Sequence, residues 1–172
     1  SERLRPAALS FVGTGLAILP FAGLALTTLA HVPGQVAWFI TSLIGIVAYG
    51  AATIIVKRAV IAYLTMAFVL SLALSAVSTL SLSIVWYFIV TIGVSLLCNS
   101  IHILWPNALP RIFAKPVEQT GQITTPIALL ASFFTGSHMD LFMYEVLYGI
   151  ATAHYLVVWL EKRELTYEVV VR

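Results

Sequence analysis

The chain has 172 residues, 60% of them hydrophobic and 9% charged, with a formal net charge of +2. So few charges cannot cover a water-facing surface, which excludes a soluble globular domain, and the apolar runs reach the ~20 residues that a membrane helix needs. The lack of a basic stripe or a run of like charges excludes nucleic acid as a partner, and a single cysteine, Cys98, inside an apolar run excludes an intrachain disulfide and a multi-cysteine metal site.

The N-terminal SERLRPAAL resembles the basic head of a signal peptide, but the apolar stretch behind it is about 24 residues long and more such stretches follow. Residues 7–30 therefore read as a first membrane helix. Pro20 falls in its middle, within LAILPFAGLA, where it removes a backbone hydrogen bond and predicts a kink with a loosened carbonyl. The next spans are predicted at 36–56, 59–80 and 83–105. Small residues recur at three- or four-residue spacing, Gly13 and Ala17 in the first segment, Gly45, Ala48 and Ala52 in the second, and Ser71, Ser75 and Ser78 or Thr79 in the third. Such spacing predicts seams at which backbones approach closely in lipid.

The stretch WPNALPRIFAKPVEQTGQ, residues 105–122, holds Pro106, Pro110 and Pro116. Each fixes φ and disfavours helix in the residue before it, so a stiff connector or a short interfacial turn is expected here. A fifth span is predicted at 119–136. Its strictly apolar part, ITTPIALLASFFTG, is short, so the segment must recruit the polar EQTGQ or be re-entrant, and a span is the expectation. The sixth is predicted at 141–160. The connections HVPGQ, KR, SLS and SHMD are so short that successive helices must be antiparallel neighbours. Residues 1–172 thus read as a single all-α, polytopic domain with six transmembrane helices in one bundle.

Arg3 and Arg5, Lys57 and Arg58, Arg111 and Lys115, and Lys162, Arg163 and Arg172 all fall on one side of that arrangement, whereas the loops at 31–35, 81–83 and 137–140 carry no lysine or arginine. By the positive-inside rule both termini are cytoplasmic, with Lys57, Arg58, Arg111 and Lys115 in cytoplasmic basic loops. The expected location is the cell's inner or plasma membrane.

The run IVTIGVSLLCNSIHILWPNALPRIFAKPVEQTGQITTPIALLASFF resembles the tenth helix, cytoplasmic loop and eleventh helix of major facilitator superfamily transporters. In that family a "P, x, acidic, x, x, Gly" turn opens the eleventh helix, and here it is Pro116, Glu118 and Gly121. The start, RPAALSFVGTGLAILPFAGLALTTL, is similar to the seventh helix of the drug:proton antiporter branch, with its Leu-Pro at Leu19 and Pro20, and GAATIIVKRAV is similar to the end of the eighth helix with its basic turn at Lys57 and Arg58. The resemblance covers nearly the whole chain as the C-terminal six-helix half of such a transporter, a half built from two three-helix repeats with both ends cytoplasmic. The chain departs from the family in having no Asp-Arg-x-Gly-Arg turn between the second and third helices and no acidic residue in the first helix. One half supplies only one wall of a cavity, so the resemblance implies a second six-helix half, on the same longer chain or on a homo- or hetero-partner.

The resemblance implies that the first, second, fourth and fifth helices face the cavity. Its lining is then Phe11, Thr14 and Phe21, Trp38 and Tyr49, Thr91, Ser95 and Asn99, and Thr125, Ser132 and Phe133. Aromatic rings with scattered hydroxyls and amides suit a lipophilic or amphipathic small molecule. Ionisable groups inside a bilayer each need a reason. Glu145, about one turn into the sixth helix near His138, Asp140, Tyr144 and Tyr148, is the candidate for proton coupling, although its shallow depth also permits snorkelling to the interface. His102 and His154 form one pair of the kind that holds a b-type haem, but nothing else marks a cofactor pocket and neither has zinc-site spacing, so no cofactor and no metal are expected. His102 is expected to bond near Asn99 and Asn107, and His154 to a backbone carbonyl. No Ser/His/Asp set at common depth points to hydrolysis, so an enzyme is not expected. The leading expectation is a membrane transporter, or half of one, working by proton-coupled alternating access, in the manner of an efflux antiporter. The alternatives are a substrate-binding membrane subunit of a vitamin importer, which needs larger outer loops than these, and a structural subunit of a larger membrane complex.

Overall fold

The computed structural model describes the backbone of residues 4–104, 110–135 and 140–171, and the side chains of these residues except 4–11, 29, 161, 162 and 164–171. The protein is all-helical over this range: α1 is Leu4–Leu29, α2 Gly34–Val56, α3 Ala59–Thr79, α4 Ile84–Leu104, α5 Ala114–Phe134 and α6 Leu141–Val171, with a 3-10 turn at Arg111–Phe113 before α5. Helices α2, α3 and α4, and the Leu141–Leu160 part of α6, are long and apolar enough to cross a membrane, whereas the apolar part of α1 among the described residues, Val12–Thr28, is shorter. Twenty residues at about 1.5 Å each span the ~30 Å hydrocarbon layer. Phe21, Val47, Val60, Leu97, Phe134 and Trp159 all point outwards and are more than half exposed. Apolar surface on this scale is suited to hydrocarbon rather than water, and the composition is compatible with an integral membrane protein.

Local chemistry sets the helix ends. After α1 the chain reverses through a left-handed residue, His31 at φ 54°, whose N–H donates to Thr28 O at 3.1 Å while that of Val32 donates to Thr27 O at 3.0 Å. This is a Schellman stop, and Pro33 follows it. The same pair of bonds closes α3 around Ser81, φ 52°, with Ser81 N–H on Ser78 O and Leu82 N–H on Val77 O. Lys57, φ 53°, ends α2 with its N–H on Thr53 O.

Two predicted boundaries move. α5 starts at Ala114 rather than 119, because Pro116 lies in its first turn, where a missing N–H leaves no bond unmade. The polar EQTGQ is thereby part of one continuous 21-residue helix. α6 runs past 160 to Val171 through the charged EKRELTYEV, because a helix can outlast the apolar stretch that selects it.

The chain divides into two compact units, Ser1–Leu82 with Pro110–Pro116, and Ser83–Leu109 with Val117–Arg172. In the first, α2 packs against both α1 and α3 and the 3-10 turn rests on α3. Gly23, outside the predicted seams, admits Ile44, and the predicted Gly45 admits the Phe68 ring rather than a neighbouring backbone, whereas a Cβ at Gly13 would meet only Val56 Cγ2 at 3.8 Å. Phe68 stacks on Tyr49 at 5.3 Å between centroids. Pro20 is fully buried, and the Tyr49 hydroxyl donates to Ala17 O, 3.2 Å away, in the turn that the proline loosens. Ser71 receives Trp38 Nε1–H at 2.9 Å and lies 2.8 Å from Ser42 Oγ, tying α3 to α2. In the second unit Val85, Ile89 and Ile92 of α4, Ala128 of α5, and Leu147 and Ala151 of α6 form the apolar core, at the three- and four-residue steps of one helix face.

Candidate functional site

The buried face of α4 changes character along its length. Val85, Ile89 and Ile92 give way to Ser95 and Asn99, which are 2% and 0% exposed. The buried face of α6 does the same in register: Leu147 and Ala151 are followed by His154, also 0% exposed. α4 and α6 pack against each other, and these polar ends meet. Asn99 Nδ2 lies 3.4 Å from His154 Nδ1, a long contact in which the amide donates to the imidazole's lone pair. The Tyr155 ring meets the imidazole edge-on at 5.4 Å.

α5 closes the third side at its glycine. A Cβ at Gly121 would stand 2.5 Å from Asn99 Nδ2, 3.1 Å from Asn99 Cγ and 3.2 Å from Ser95 O. Only a glycine lets the α5 backbone pass this close to the amide. Three residues on, Thr124 Oγ1 lies 2.5 Å from Ser95 Oγ and donates to Thr120 O at 2.7 Å. Glu118 Oε1 accepts from Gln122 Nε2 at 2.9 Å, one turn of α5 bonded to the next.

Several polar atoms in this region are buried and unbonded: Asn99 Oδ1, His154 Nε2 and the Thr125 hydroxyl, with Thr41 Oγ1 in the other unit. A buried polar group without a partner costs about 1–3 kcal/mol. Two of them belong to the contacting Asn99–His154 pair, and the third, Thr125, lies one turn along α5 from Gly121.

The other predicted site residues are dispersed. Ser132 is buried but donates to Leu129 O in its own helix, and Thr91 donates to Tyr87 O in the same way. Phe133 is 64% exposed and meets Tyr148 edge-on. In the first unit Tyr49 and Trp38 hold α2 to its neighbours through the bonds described above, Thr14 is exposed and Phe21 points outwards. The Phe11 side chain, and His138, lie outside the described residues. Glu145 is exposed on the first turns of α6, beside the Tyr144–Tyr148 stack. Lys57, Arg58, Arg111 and Lys115 are exposed and belong to the first unit.

No family model matches the chain, and no curated protein or solved structure is significantly similar to it. The site therefore rests on its own geometry. The Asn99–His154 pairing corrects the expectation that His154 bonds a backbone carbonyl. Asn99 and His154 each continue the buried stripe of their own helix, a periodicity present in the sequence, but only the rotation of α4 against α6 brings the two stripes together. Among the described residues no three His, Cys, Asp or Glu side chains converge.

Proposed function

We propose that this chain is a six-helix half of a secondary membrane transporter, with α1 and α5 spanning alongside the four long apolar helices and both termini cytoplasmic. It moves a lipophilic or amphipathic small molecule by proton-coupled alternating access and shares its cavity with a second six-helix half. The resemblance to major facilitator transporters belongs to the same proposal, and the two compact three-helix units support it, since that architecture is built from three-helix repeats. The observation that carries the reading is the cluster of Asn99, His154, Thr125 and Ser95 inside helices that are otherwise apolar. In a bilayer an ionisable side chain such as His154 points to a functional site, while the hydroxyls and the amide also serve as interhelical bonds.

The test is reconstitution of the purified chain, with native mass spectrometry of the detergent-solubilised particle to count its helices. Vesicles are loaded with a panel of lipophilic fluorescent dyes and given an imposed pH gradient. Dye movement that follows the gradient and collapses with a protonophore is the expected result. A strict six-helix monomer that moves none of the dyes in either direction overturns the transporter reading.

A further inference from the structure

We propose that His154 is a buried proton-binding site whose occupancy is switched by rotation of the Asn99 side-chain amide. The inference deepens the transporter reading by naming its coupling group, yet it stands on the α4–α5–α6 unit alone and is tested without any transport measurement.

The arrangement begins with the neutral imidazole. Nδ1 faces the Asn99 amide nitrogen at 3.4 Å, and an amide nitrogen only donates, so Nδ1 carries the lone pair and the ring hydrogen sits on Nε2. That Nε2–H is buried without an acceptor, and Asn99 Oδ1 is buried without a donor. Each group is what the other kind of neighbour requires. Addition of a proton to Nδ1 turns it into a donor, and the amide N–H then opposes it. Rotation of the amide by about half a turn replaces that clash with an Nδ1–H to Oδ1 bond, the only charge-assisted pairing the two side chains can make. The proton adds to an existing lone pair, so no bond within either side chain breaks.

Space for the rotation is supplied by α5. Gly121 brings only hydrogen to the point where a Cβ would stand 2.5 Å from Nδ2 and 3.1 Å from Cγ. One turn along the same helix, the Thr125 hydroxyl is likewise buried and unbonded. The titratable groups near this level are Cys98 and His102 on α4, Glu118 on α5 and Tyr155 on α6; Tyr155 touches the ring with its edge. Glu118 is bonded to Gln122 in the first turns of α5. With a neutral amide as its nearest partner, an imidazolium here is poorly compensated, so proton uptake must be accompanied by loosening of the α4–α5–α6 cluster or by entry of water or a ligand. This links protonation to shape.

The experiment is a side-chain nitrogen NMR titration of the full chain, labelled at histidine and asparagine, in lipid nanodiscs from about pH 4.5 to about pH 9, bracketing the ordinary histidine range. His154→Gln identifies the His154 signals, and the other three histidines of the four serve as internal references. At high pH His154 is expected to show one protonated and one bare ring nitrogen. On acidification both become protonated, and the Asn99 amide signals move at the same midpoint. Asn99→Leu, which keeps volume but cannot accept, is expected to lower proton affinity about tenfold, one pH unit in midpoint. A His154 that keeps one bare nitrogen over the whole range overturns the proposal, and so does a His154 that titrates while Asn99 stays still. The wild-type titration decides between these outcomes even if a variant fails to fold, and a positive result beside failed dye transport separates the site from the transporter reading.

Discussion

Replacing Gly121 with alanine puts the α4–α5 crossing to a direct test. In an ordinary helix interior the change favours stability by about 0.5–1 kcal/mol, because alanine loses less backbone entropy. Here the new methyl meets Asn99 Nδ2 at 2.5 Å and the Ser95 carbonyl at 3.2 Å. The amide can swing away, but only by abandoning His154, a loss of about 1 kcal/mol, and the backbone carbonyl must also retreat, with overpacking of this kind costing about 1–3 kcal/mol. The terms sum to a net destabilisation of about 1–3 kcal/mol. Gly149 on α6 is the matched control, since a Cβ there meets nothing within 4 Å, and its alanine variant should gain about 0.5–1 kcal/mol. The two substitutions are chemically identical and differ in sign. Reversible unfolding in mixed detergent–SDS micelles, followed by the fluorescence of the chain's four tryptophans, Trp86 on α4 and Trp159 on α6 among them, measures both. A Gly121→Ala chain at least as stable as the Gly149→Ala chain would refute the close crossing and with it the placement of Asn99.

Other expectations follow from the bonds of the first unit. Ser71→Ala removes the acceptor of Trp38 Nε1–H and the partner of the buried Ser42. It should destabilise by about 1–2 kcal/mol, with Ser42→Ala less than additive in the double variant, as the same unfolding assay reads. Tyr49→Phe deletes the hydroxyl that reaches Ala17 O and should lose about 1 kcal/mol in the same assay. The proposed topology places Arg58 and Leu82 on opposite sides of the membrane. With Cys98 replaced by alanine, a membrane-impermeant thiol reagent added to oriented vesicles should modify Arg58→Cys and Leu82→Cys from opposite faces, and labelling of both from one face would overturn the orientation.

Segments of the fold that depend on composition were legible in the sequence. Spans predicted at 36–56, 59–80 and 83–105 are helices Gly34–Val56, Ala59–Thr79 and Ile84–Leu104, because a long apolar run has few other ways to satisfy its backbone in lipid. α5 was harder to place at its start, since a proline reads as a helix breaker until it is known to sit in the first turn. The site was less legible. Residues Ser95, Asn99 and Thr125 stand out as polar positions in apolar runs, but their neighbours depend on helix rotation, where one residue of error turns a side chain by about 100°. Hydroxyls add a further ambiguity. Thr53, Thr65, Thr91 and Thr152 all bond to a carbonyl four residues back, a local option that sequence cannot distinguish from a cavity-facing role. The Asn99 amide does not take a local carbonyl of this kind but reaches across to His154.

The same contrast explains why the second unit is organised as a gradient. At one end Val85, Ile89 and Leu147 interlock as close-packed hydrocarbon, a contact that has one good arrangement and resists change. At the other end Asn99 and His154 are joined by a single long contact, with an acceptor and a donor left over and a glycine where a side chain would otherwise wedge them. Replacing both by leucine and phenylalanine would relieve the unpaired groups and is expected to raise stability, as exchanging buried polar pairs for apolar ones often does. A sequence that keeps the polar pair forgoes that stability at one end of the unit while the other end remains rigid. Such a division lets the α4–α6 contact act as a fixed pivot and concentrates any rearrangement where the proton would bind.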